Sequence, residues 1–133
     1  MRFLPALLLA VLLAPASLRA EGTAVPDVIR DQISAFQADD FATAFDYASP
    51  NIKRLFGTPE RFGQMVQNGY PMVYRPAEVR MLELRDIGGA KVQRVMIRDA
   101  QGRFHLLDYQ MIETENGWQI NGVQLLQAAE LGV

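Results

Sequence analysis

From Ala77 onward the chain changes its period. Four runs, EVRMLELRDI, KVQRVMIR, RFHLLDYQMIET and WQINGVQLL, read as strands. They are separated by Gly88-Gly89, by DAQG (Asp99 to Gly102) and by Asn116-Gly117. Glycine and asparagine supply the backbone angles that tight hairpins need, so these separators predict a four-stranded antiparallel meander.

The stretch before it is punctuated like short helices. Pro26 suits a first helical position, and Ile29, Ile33 and Phe36 follow at helical spacing, which predicts a helix from Pro26 to about Ala38. Asp39-Asp40 breaks and recaps the chain ahead of the apolar stripe Phe41, Ala44, Phe45 and Ala48. Then SPNIKRLFG and TPERFGQMVQNG each combine a Ser or Thr cap, a proline at the first position and a closing glycine. The second buries Phe62, Met65 and Val66. Between them and the sheet lies NGYPMVYRP (Asn68 to Pro76), which reads as a rigid proline-fixed connector or as the rim of a site. Helices first and a sheet afterwards place the chain in the α+β class.

A two-residue turn at Gly88-Gly89 sets Asp86 opposite Lys91 and Glu83 opposite Arg94, opposite charges that favour this register. Carried through the other hairpins, it sorts the strands onto two faces. One holds Leu82, Leu84, Val95, Ile97, Phe104, Leu106, Ile112, Val123 and Leu125, with the polar Gln93, Asp108, Gln110 and Asn121. This aliphatic face is expected under the helices. The other gathers Met81, Met96, Leu107, Tyr109, Met111, Trp118 and Ile120 with Arg85 and Arg94. Met96, Tyr109, Met111 and Trp118 are of the types enriched in protein interfaces, so a homodimer or another exported protein is expected to cover them.

The beginning of the chain is a different matter. Arg2 followed by the apolar run Leu4 to Ala14 is shorter than the roughly 20 residues a membrane span requires. It reads as a secretory signal cut after Ala20, or after Ala16. The remainder, residues 21–133, is expected to be one exported domain, periplasmic or secreted, with no membrane span. It has no cysteine and hence no disulfide. Without Arg2 and Arg19 its 13 basic residues fall to 11 against 15 acidic ones, a net charge of −4. No basic block is present, which argues against nucleic acid as a partner.

Gln93, Asp108, Gln110 and Asn121, polar on an aliphatic face, are the ligand-binding candidates, with Tyr70 and Tyr74 at the rim of a cavity closed by the helices. A buried polar group needs a partner, either an arginine or a ligand. Asp108 is the one candidate general base. His105, the only histidine, lies on the face opposite Asp108, and without cysteines it makes no metal site. No phosphate loop, dinucleotide fingerprint or nucleophile motif occurs, so no cofactor is expected.

The runs DDFATAFDYASPNIKRLFGTPERFGQMVQNGYPMVYRP (Asp39 to Pro76) and LDYQMIETENGWQINGVQLL (Leu107 to Leu126) resemble an uncharacterised family of exported bacterial proteins, domain of unknown function number 4864. The resemblance spans nearly the whole mature chain. It implies a helix-then-sheet cone similar to the nuclear-transport-factor-2-like (NTF2-like) superfamily, and it implies no activity. That superfamily includes pocket isomerases and cyclases beside non-catalytic domains. Asp108 with Tyr70 or Tyr74 is the nearest analogue here of an isomerase's base and tyrosine. The expected function is therefore a non-enzymatic small-molecule-binding or accessory domain, taking a small, partly apolar ligand. The alternatives are a cofactor-free isomerase-like enzyme and a protein-interaction module.

Overall fold

A computed structural model describes residues 21–127 and Arg2, with side chains in the first helix from Ala24 onward. The expected leader, apart from Arg2, lies outside the described residues. Among the described residues, no helix is long and apolar enough to cross a membrane.

Five helices precede the sheet: α1 (Glu21–Gln37), α2 (Phe41–Asp46), α3 (Pro50–Phe56), α4 (Pro59–Gly69) and the single turn α5 (Pro71–Tyr74). Helix α1 starts five residues before Pro26, which sits inside it, and Val25, Ile29, Ile33 and Phe36 line its buried stripe. Asp39 ends it at φ 54°, a left-handed conformation that Asp tolerates. Asp40 then caps α2 by accepting from the Thr43 N–H at 3.2 Å and the Thr43 hydroxyl at 2.7 Å. Ser49 and Thr58 cap α3 and α4 as their sequence predicts, each accepting from the N–H three residues on. Helix α4 buries Phe62 and Val66, while Met65 is half-buried.

The connector NGYPMVYRP is rigid and partly helical. Pro71 starts the turn of α5, and Met72 and Val73 enter the core. Arg75 then locks it: its guanidinium donates to the carbonyls of Phe36 (2.7 Å) and Tyr74 (3.0 Å) and to Asp39 Oδ1 (2.9 Å). It also stacks over the Tyr74 ring at 3.9 Å, and the Tyr74 hydroxyl donates to the same Asp39 carboxylate.

Strands β1 (Glu78–Ile87), β2 (Ala90–Arg98), β3 (Phe104–Thr114) and β4 (Gly117–Leu125) form one antiparallel sheet in the order β1-β2-β3-β4. The first hairpin has the expected two-residue turn, with Asp86 opposite Lys91 and an ion pair between them. Glu83 also pairs with Arg94, at 3.3 Å.

The second hairpin differs from expectation by one residue. Its loop spans residues 99–103, five residues instead of four, and Arg98 pairs with Phe104. Asp99 organises the longer loop. Its Oδ1 accepts from the backbone N–H groups of Gln101 and Arg103, both at 2.9 Å, and its Oδ2 from His105 Nε2 at 2.8 Å. A one-residue slip turns every side chain of a strand over. Leu107, Tyr109 and Met111 consequently face the helices, and Asp108 and Gln110 face outward, the reverse of the sequence expectation.

Two bulges complete the exchange. One at residues 82–83 keeps Met81 and Leu84 both on the helix side, opposite Val95 and Gln93. The other, at Asn121, brings Val123 and Leu125 to the side of Trp118 and Ile120. The buried face therefore mixes residues from both expected sets.

Upon this face the helices pack an aromatic cluster centred on Phe62, whose ring lies 5.7, 5.4 and 5.8 Å from those of Phe36, Phe45 and Phe56. The β4 edge is partly covered. Ile120 donates its N–H to the Tyr47 carbonyl (2.9 Å) and accepts from the Ser49 N–H (2.8 Å).

Acid should weaken this fold in a definite window. Asp99 is held below its ordinary value of 3.8, first by the His105 hydrogen bond and then by the Arg103 N–H. Asp39 is lowered first by Tyr74 and next by Arg75, and Asp40 by Thr43. A carboxyl whose folded pKa is depressed stabilises the fold above its unfolded value, and that contribution disappears as pH falls through the folded one. The melting temperature is expected to hold from pH 7 to about 4 and to drop below it. Asp99→Asn should flatten that drop; an unchanged slope in thermal melts between pH 5 and 2 would contradict the role given to Asp99.

Candidate functional site

The helices do not fill the concave face completely. Between α1, α3 and α4 on one side and β3 and β4 on the other lies a hollow of about 240 Å³. Its walls are the rings of Phe36, Phe56 and Phe62 with Ile52, Val66 and Val123. Ring-bearing side chains cannot slide together like aliphatic ones, and α3, which buries none of its residues fully, covers the space only loosely. Leu55 of α3 stands at the hollow with 73 % of its surface exposed.

Polar groups in this wall are few. Gln32 is tied to the helices, its Nε2 donating to the Ala44 carbonyl at 3.1 Å. Tyr70 donates its hydroxyl to the Val123 carbonyl at 3.1 Å, fastening the α4–α5 corner to β4. Tyr109 reaches in from the centre of the sheet. It is fully buried, and among the described residues its hydroxyl has no hydrogen-bond partner. Burial first, and the nearby Tyr70 second, push the Tyr109 phenol far above its ordinary value, so it stays protonated at any physiological pH.

The sequence-derived candidates divide sharply. Tyr70 stands in the wall of this hollow; Tyr74 does not, being held in the Arg75–Asp39 clamp. Gln93 is buried on the helix side, but its Nε2 donates to the carbonyls of Leu82, Glu83 and Arg94 at 3.0, 3.2 and 2.9 Å. Asn121 accepts from the Ser49 hydroxyl at 2.7 Å and so ties the β4 bulge to the α3 cap.

Asp108 lies on the outer face. Arg94 holds it through two bonds (3.0 and 3.2 Å), and Arg85 through one at 3.1 Å. Its neighbour Gln110 shares that face, where its Oε1 packs against Gly122. Neither meets a tyrosine in the hollow, because the Asp99 loop turned β3 over. The same inversion removes three of the four interface candidates. Tyr109, Met111 and Trp118 are core residues, and only Met96 remains on the outer face.

Tyr109 thus lies on the face opposite the expected one, and Phe36 and Phe62, expected only as helix core, stand in the wall of the hollow. Asp99 is at the root of the difference, because its carboxylate organises the five-residue loop that includes Arg103.

His105 bonds to Asp99 beside a second cleft of about 390 Å³ lined by Tyr74, Arg75 and Arg103. A His–Asp pair serves catalysis when a nucleophile or substrate proton lies next to it. Among the described residues no Ser, Thr or Cys lines this cleft, and the pair closes the 99–103 loop. Among the described residues no group of His, Cys, Asp and Glu side chains could hold a metal ion.

Known families bear out the architecture. The model for Domain of unknown function (DUF4864) matches residues 18–133. The chain belongs to the DUF4864 family. No curated protein matches this DUF4864 chain. Among solved structures it resembles RPA3114, a SEC-C motif containing protein from Rhodopseudomonas palustris. That match has a TM-score of 0.56 at 15% identity, over 75% of this chain and 77% of the other. A protein named Rd1NTF2_05 aligns with TM-score 0.55 at 14% identity, over 80% of this chain and all (100%) of its own. A Campylobacter jejuni protein described as an NTF2-like transpeptidase aligns with TM-score 0.51 at 11% identity, over 73% of this chain and 97% of its own. The DUF4864 chain therefore has the NTF2-like fold that the family resemblance implied, within the α+β class that its helix-then-sheet pattern predicted.

Proposed function

We propose that this chain is an exported, non-enzymatic binding domain whose ligand is a small, largely apolar molecule held under the helices. The observation that carries this reading is the hollow itself. It is an apolar recess open to solvent beside the exposed Leu55 and walled by Phe36, Phe56 and Phe62, the kind of concave, mostly apolar surface at which small molecules bind. In size it exceeds the roughly 150 Å³ cavity that takes benzene, and its aromatic lining suits a ligand of one ring with substituents or a short chain.

The isomerase-like alternative loses its base, because Asp108 is engaged by two arginines on the far side of the sheet. The interaction alternative keeps only Met96 of its four residues. Export rests on the apolar run Leu4 to Ala14 behind Arg2.

Native mass spectrometry of the protein recovered from its own cell envelope tests the binding reading. An organic mass of roughly 100–250 Da is expected to co-purify, scaled from the benzene-sized cavity. Val66→Trp, which fills the hollow, should abolish it. If the protein carries no such mass and ring-sized apolar probes leave the resonances of Ile52, Val66 and Val123 unmoved, the reading is wrong.

A further inference from the structure

The hollow has a mouth, and the residues that flank it are cationic. It opens to solvent beside the exposed Leu55 of α3, with Met65 of α4 half-buried in the same wall. On α4, Arg61 stands one turn before Met65, so the two side chains are neighbours on the helix surface. On α3, Arg54 precedes Leu55, and its guanidinium donates to the amide oxygen of Asn51. Asn51 in turn donates to Asn121 at 3.5 Å, and Asn121 precedes Gly122 in the wall of the hollow. Arg54 therefore lies toward β4 and Arg61 on α4, both exposed.

Elsewhere the basic residues are neutralised in place. Arg80, Arg85, Lys91, Arg94 and Arg98 of the sheet each have a carboxylate oxygen within 3.7 Å. Among the described residues Arg54 and Arg61 have none. Helix α3 contains no acid, and Glu60 lies two residues from Phe62, hence on the side of α4 away from the hollow. Arg30 and Arg103 also lack a carboxylate, but they line separate clefts. Deep in the hollow a charge would lose its water and meet no counter-charge. At the mouth it keeps its water and gains two cations.

We infer that the ligand is an anionic amphiphile, its apolar part in the hollow and one carboxylate-like group at the mouth between Arg54 and Arg61. This rests on the reading of the hollow as a binding site and adds which end of the ligand is charged. Scaled from benzene in a cavity of roughly 150 Å³, the hollow accepts about ten carbons. A free short-chain acid and an anionic membrane surface offer the same chemistry. The size of the hollow favours the free acid, because the chains of membrane lipids are longer.

Octanoate and octanamide share a tail and differ in charge, while acetophenone, neutral and ring-sized, reports on the hollow alone. Each is titrated into the protein at pH 7 and low salt, and binding is followed by shifts of Ile52, Val66 and Val123. Octanoate is expected to bind about five-fold more tightly than octanamide, the scale of two exposed ion pairs. The preference should disappear in about 1 M salt, which screens exposed charges. It should also disappear when Arg54→Gln and Arg61→Gln are combined, with acetophenone binding unchanged. Arg54→Glu should reverse it. Lys53→Gln should leave it intact, because Lys53 lines a different cleft, beside Trp118.

Octanoate binding no better than octanamide, or a preference that survives the loss of both arginines, would overturn the inference. Acetophenone binding would then still uphold the apolar site. If none of the three probes binds, both readings fail together. Flotation with phosphatidylglycerol vesicles separates the two sources of charge, and the protein is expected to stay unbound. Vesicle binding that needs both arginines, without octanoate binding, would overturn the free ligand in favour of a membrane surface.

Discussion

Phe36→Ala is expected to destabilise the protein by about 3–5 kcal/mol, the range for removing a buried aromatic ring. Phe36 is fully buried, and its ring lies 5.7 Å from Phe62 and 6.4 Å from Phe41. Its carbonyl also accepts from Arg75, so α1 and the α5 corner meet at this residue. The surroundings cannot collapse into the gap, because one side of the ring already borders the hollow. For a domain of this size the loss corresponds to a fall of roughly 15–20 °C in melting temperature. Phe36→Leu, which keeps most of the volume, should cost less than half as much. Urea titrations of both variants give the comparison; a cost below 1 kcal/mol for the alanine would mean that α1 does not pack as described.

Gln93→Leu should cost about 2 kcal/mol and leave ligand binding as it was. The substitution is nearly isosteric and apolar in a buried position, so a reading by hydrophobicity alone would expect a gain. The geometry says otherwise. At the β1 bulge the Gln93 amide donates to the carbonyls of Leu82 and Glu83, together with its neighbour's carbonyl. Leucine fills the space and takes that donor from those oxygens. Gln93→Glu should be worse at pH 7, because an ionised carboxylate would face three carbonyl oxygens. Chemical denaturation of the two variants, with acetophenone titration of each, separates this structural role from the binding role that its position on an aliphatic face suggested. Weakened acetophenone binding in a stable Gln93→Leu protein would return Gln93 to the site.

Much of the fold could be read locally. Ser49-Pro50 and Thr58-Pro59 announce their helices because a cap is a contact three residues long, and each hydroxyl does accept the expected N–H. Gly88-Gly89 sets its hairpin because two positive φ angles are needed there, 56° and 86°, and the Asp86–Lys91 pair follows directly. The candidate site could not be read this way. Which face of β3 is buried depends on one residue in the loop before it, and the sequence admits both DAQG and the longer Asp99-centred loop. His105 decides between them through a contact that exists only once β3 has folded back upon that loop.

The sequence by itself thus determined the helix caps, the four strands and the first hairpin's turn, because each is a matter of neighbours in the chain. The tertiary structure alone decided that Asp108 belongs to arginines on the outer face and Tyr109 to a hollow under the helices. The physical reason is the two-residue period of a strand. A single inserted residue, in a loop or a bulge, leaves every local preference satisfied and exchanges the two faces of the sheet.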